Sequence, residues 1–71
     1  MVNHPDHYQQ GRIEVIKKME LIWGPNLTAV FCDISAFKYR MRAGYKGSIE
    51  EDIAKAMWYE AKSKELCDTT L

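Results

Sequence analysis

An all-α fold, a small three-helix unit with an N-terminal polar arm, follows from three observations on this 71-residue sequence. Apolar residues recur at three- and four-residue spacing in three segments. Breaks containing Gly, with Pro at the first, separate those segments, and no segment alternates with period two for long enough to form a strand.

Residues 1–11 contain two His, a Pro and two Gln without apolar periodicity, and read as the arm. From Arg12 to Trp23, the positions Ile13, Ile16, Met19, Ile22 and Trp23 form one face of a first helix. Gly24-Pro25 stops it, and Asn26 can cap the next. Leu27, Val30, Phe31, Ile34, Phe37 and Met41 stripe a second helix that ends near Gly44. After the turn Gly44-Tyr45-Lys46-Gly47, Ser48 and Glu51 have capping-box spacing, and Ile49, Ile53, Met57 and Ala61 stripe a third helix to about Leu66. The single domain 1–71 thus divides into an arm (1–11), a helical core (12–66) and a tail (67–71).

Composition narrows the function classes. At 46 % apolar and 28 % charged the chain is too apolar for disorder. Ten Lys/Arg against ten Asp/Glu give zero net charge, which excludes a generally basic nucleic-acid coat but leaves local patches open. No run approaches the roughly 18 apolar residues of a membrane span, and the polar start is unlike a signal peptide, so a cytoplasmic location is expected, without a membrane or long nucleic acid as partner. Cys32 and Cys67 are expected as free thiols in core or interface positions. A scaffold this small gains only roughly 3–5 kcal/mol from one core, and two Trp, four Tyr, two Phe and four Met exceed what three short helices can hide. A homo-oligomer, dimer or tetramer, is expected.

Charge is unevenly placed. Lys38, Arg40, Arg42 and Lys46 fall between Ile34 and Ile49 with no acid, whereas six acids face three lysines from Glu50 onward. The cluster admits two readings: a solvated set matched to the negative end of the second helix, or an anion site where a Gly-containing turn enters a helix N-terminus. In the second reading Lys38, Arg42 and Lys46 converge on phosphate near Ser48, and Tyr39 and Tyr45 offer faces for a base. GYKGS is not a Walker loop. In the arm, His4 and His7 read as structural or as closing a ligand pocket, with Tyr8 as a stacking or hydroxyl contact; Pro5 between them argues against a shared helical face and a metal site. Glu14, Glu50, Glu51 and Asp52 do not make the repeated inward acid pattern of an all-α pyrophosphohydrolase, since Glu51 and Asp52 are taken by capping. No catalytic residue, metal or cofactor is assigned.

Several motifs occur together: Val2-Asn3-His4-Pro5 with His7-Tyr8, then Gly11 and Glu14; Phe37-Lys38-Tyr39; Arg42-Ala43-Gly44 with Lys46-Gly47; and Glu51-Asp52, Lys55-Ala56 and Trp58-Tyr59. From about Val2 to Leu66 the chain resembles a small domain of bacteriophages and prophages of unknown function. That domain is related to the Walker-less nucleotide kinase of short-tailed coliphages, a larger protein. The resemblance implies a viral protein made in an infected bacterial cell, and nucleotide recognition more than phosphoryl transfer. The leading expectation is a non-catalytic nucleotide sponge that sequesters a cyclic nucleotide immune signal of the host. A minimal nucleotide kinase or nucleotide-metabolism enzyme is the alternative, and a protein–protein module that caps a host enzyme through Trp23, Trp58 and Tyr59 is a third.

Overall fold

Proline has no N–H to lose in the first turn of a helix, and Pro5 opens α1 there (Pro5–Arg42). The second element, α2, covers Ile49–Asp68. The computed structural model describes the backbone of residues 5–68 and the side chains of residues 11–68. All regular structure among the described residues is helical. The helix therefore starts inside the segment expected as an arm, because polar residues such as Gln9 and Gln10 sustain a helix without an apolar stripe.

The expected stop at Gly24-Pro25 is a kink. Gly24 has φ +88° and ψ 166°, a conformation open to glycine, and both flanking segments stay helical. Counted as continuous elements there are two helices and not three, but α1 is itself two helices merged across the break that the sequence places at Gly24-Pro25. Asn26, expected as a cap, lies inside α1. The Thr28 hydroxyl donates to the Gly24 carbonyl at 2.8 Å, fixing the chain on the far side of the kink. α1 ends through Gly44 at φ +92°, with Ala43 N–H donating to Tyr39 O at 3.1 Å. At the start of α2, Ser48 Oγ accepts the Glu51 N–H at 3.2 Å, as the capping-box spacing predicts.

Packing buries the small-residue faces and leaves the large apolar stripes outside. The interior is built from small residues: Thr28, Ala29, Cys32, Ser35 and Ala36 on α1, and Asp52, Ala56, Ser63 and Leu66 on α2. Ile16 joins Ala29, Cys32 and Leu66 in the core, with Met19, Trp58 and Tyr59 packed against them. By contrast Leu27, Val30, Phe31, Ile34, Phe37 and Met41, the apolar stripe of the expected second helix, are exposed, as are Ile22 and Trp23. On α2 the same holds for Ile49, Met57 and Ala61. The molecule is thin, 36 × 29 × 17 Å, and small side chains let the helices approach closely while leaving the large ones outside. Of the two thiols, Cys32 is buried as expected, but Cys67 is exposed and not a core residue. Arg40 clasps Glu60 across the helices with two bonds, Nε to Oε2 at 2.6 Å and Nη2 to Oε1 at 2.9 Å.

Candidate functional site

The small-residue face of α1 ends in Tyr39 and Arg42, and the buried face of α2 contains Asp52 and Tyr59. The helix pairing brings these ends together. The rings of Tyr39 and Tyr59 stack with centroids 5.9 Å apart and planes 9° from parallel. Phe31 and Trp58 meet Tyr59 edge-on at 6.1 and 5.0 Å. Such arrangements match the ring quadrupoles.

Cations gather on the same rings. Lys38 Nζ lies 4.8 Å from the Tyr39 centroid, Lys55 Nζ 5.4 Å and Arg42 Cζ 5.6 Å. Arg12, from the first leg of α1, lies 4.9 Å from the Trp58 ring and 5.7 Å from Tyr59. The Arg42 guanidinium also faces Asp52, Nε to Oδ2 at 3.4 Å, and Asp52 is only 2 % exposed. Asp52 therefore does more than complement the helix dipole: it is a buried anchor for Arg42, and its Oδ2 has no hydrogen bond among the described residues. Beside the stack, Arg12, Phe31, Tyr39 and Tyr59, with Val15 and Ile16, line an open cleft of about 530 Å³. That is within the range of small-molecule sites, roughly 300–1,000 Å³.

The residues expected to bind ligand thus divide. Lys38, Tyr39 and Arg42 come together at the cleft end of the helix pair. Tyr45 stands 86 % exposed in the turn, and Lys46 is exposed beside it with no ion pair to a described residue. Lys55, which the sequence reading did not include, joins Lys38 and Arg42 at the Tyr39 ring. Ser48 caps α2, its hydroxyl also donating to Glu50 Oε1 at 3.3 Å. Glu50, Glu51 and Asp52 already complement this helix start electrostatically, so the turn is a poor anion cradle. His4 lies outside the described residues; His7 and Tyr8 fall in the first turns of α1, and their side chains lie outside them as well. Among the described residues, no three His, Cys, Asp or Glu side chains are grouped to hold a metal ion. No described helix is long and apolar enough to cross a membrane.

Sequence reasoning missed Arg12, Lys55 and Tyr59 as members of the site. A signal for two of them exists: Asp52, Ala56, Tyr59, Ser63 and Leu66 follow a four-three spacing, and Lys55 borders it. Small and polar residues in that row masked it as an interior face.

These features define a small all-helical protein with a cation-rimmed aromatic cleft. The chain belongs to the DUF3310 family of proteins of unknown function, matching it over residues 2–61. No curated protein and no solved structure matches the chain.

Proposed function

We propose that the chain binds a nucleotide in the cleft beside the Tyr39–Tyr59 stack and holds it without turnover. The observation that carries this reading is the gathering of Lys38, Arg42 and Lys55 on the ring of Tyr39, which itself lines an aromatic-walled cleft together with Arg12. A flat base packs on the aromatic walls while a phosphate meets the cations, and both needs are served within a few ångströms. Asp52, the carboxylate that faces Arg42, is buried against it and so is poorly placed to carry Mg²⁺ for phosphoryl transfer.

The resemblance to a phage domain supports a setting inside an infected bacterium. There a captured cyclic nucleotide is an immune signal withheld from the host. The test is a thermal-shift panel of mono-, di- and cyclic nucleotides, with inorganic phosphate as a control. A ligand at a hundredfold excess over its Kd stabilises by about 2.7 kcal/mol. The sponge reading expects such a shift for a nucleotide and not for phosphate, a weaker one in Lys38→Ala, and intact ligand recovered after heat denaturation. Absence of any nucleotide shift overturns it. Conversion of a nucleoside monophosphate in the presence of NTP and Mg²⁺ replaces it with a kinase.

A further inference from the structure

The second leg of α1 has two working faces. One, made of small residues, is buried against the rest of the chain. The other presents Leu27, Val30, Ile34, Phe37 and Met41, spaced three, four, three and four residues apart and each 50 to 65 % exposed. That spacing is the heptad repeat of a helix seam, running about 21 Å at 1.5 Å per residue. Trp23 and Leu27 extend it into an apolar hollow of about 280 Å³ that has room for a side chain from outside. Asn26, Asp33, Lys38 and Arg40 flank the seam as a polar rim.

We infer that this seam is the interface with a second copy of the chain, packed helix against helix. Three considerations select that occupant. The seam with Trp23 exposes on the order of 700 Å² of largely apolar surface, larger than a monomer's usual patch and close to the roughly 800 Å² each partner gives a stable interface. A 3.5-residue repeat keeps its stripe in register against a helix carrying the same repeat, and the nearest source of one is an identical chain. The interior itself is made mostly of Ala, Ser, Thr and Cys, with Ile16 and Leu66 the large aliphatic members, so the fold depends on burial elsewhere. A partner needed for folding must be present whenever the chain is, and a second copy always is. The inference does not rest on nucleotide binding.

Sedimentation or light scattering of the full chain at about 10 μM decides it. The expected mass is at least twice the 8.3 kDa of one chain, with a melting temperature that falls on dilution. Ile34→Glu, at the middle of the seam, is expected to give either a monomer or a chain without helical signal, because a folded monomer that keeps Ile34 62 % exposed would tolerate the change. Leu21→Glu, at an 87 % exposed apolar position off the seam, is expected to leave mass and melting unchanged. A monomeric wild type with concentration-independent melting overturns the inference. So does an Ile34→Glu variant that keeps the wild-type mass and melting temperature.

Discussion

Tyr39 and Tyr59, one from each helix, stack nearly parallel with 5.9 Å between ring centroids. Tyr59 is the hub of this pair, since Phe31 and Trp58 also meet it edge-on. Deleting its ring removes contacts to α1 on both sides of the kink, Arg12 before it and Phe31 and Tyr39 after it. Tyr59→Ala is expected to destabilise the protein by about 2–3 kcal/mol, below the cost for a fully buried aromatic because Tyr59 is half-buried. Tyr59→Phe keeps every ring contact and is expected to cost about 1 kcal/mol or less. Urea unfolding of both variants checks this; equal losses would place the stability in the hydroxyl and not in the stack.

Arg42 and Asp52 form an unequal pair: the carboxylate is buried, whereas the guanidinium is 43 % exposed. Removing Arg42 strands a buried charge, but neutralising Asp52 leaves Arg42 in contact with water. Arg42→Ala is therefore expected to cost more than Asp52→Asn, by about 1–2 kcal/mol after allowing for solvent screening of the exposed partner. The double variant is expected to lose less than the sum of the two. Denaturant titration of the three variants measures it, and a costlier Asp52→Asn would show that the carboxylate has partners of greater weight than Arg42.

The asymmetry of that pair illustrates what was legible beforehand. Three- and four-residue spacing located the helical segments, and Gly24, Gly44 and Ser48 marked their breaks, because helix termini obey local chemistry. The inward direction was not legible. Periodicity of Leu27, Val30, Ile34, Phe37 and Met41 says that one face is apolar, not which neighbour covers it. In a chain whose small residues let its own helices approach, the interior went to Ala29, Cys32 and Ala36 instead. The site followed the same logic. Lys38, Tyr39 and Arg42 are close in sequence and were visible as a cluster, whereas Arg12, Lys55 and Tyr59 reach it only through tertiary packing.

Gly24 carries the kink in a conformation that side chains avoid, and a Cβ placed there would meet nothing within 4 Å. The cost of Gly24→Ala is thus one of backbone strain without a steric clash. A loss of about 1–3 kcal/mol is expected, with α-helical signal retained because both legs are helical in their own right. Circular dichroism followed through thermal unfolding tests it. An unchanged melting temperature would mean that the chain straightens at residue 24 without penalty.

Cys32 and Cys67 give the fold a pH signature and a chemical one. Burial, with a smaller contribution from the charge of Asp33, pushes the Cys32 thiol up from 9.0 to about 11, although Lys62 opposes the shift. A thiol whose folded value is raised favours the native state while both states are protonated. That contribution is complete below about 9, and is lost as the unfolded chain ionises first between about 9 and about 11. Wild type is expected to lose on the order of 1–2 kcal/mol more than Cys32→Ala across that window. Comparing the two proteins cancels the titration of lysines and tyrosines common to both. At pH 8, a thiol reagent is expected to label Cys67, which is exposed, at once, and Cys32 only after denaturant is added. Rapid labelling of both thiols in the native protein, together with parallel stability curves, would mean that the helix pair opens at Cys32 far more readily than its packing implies.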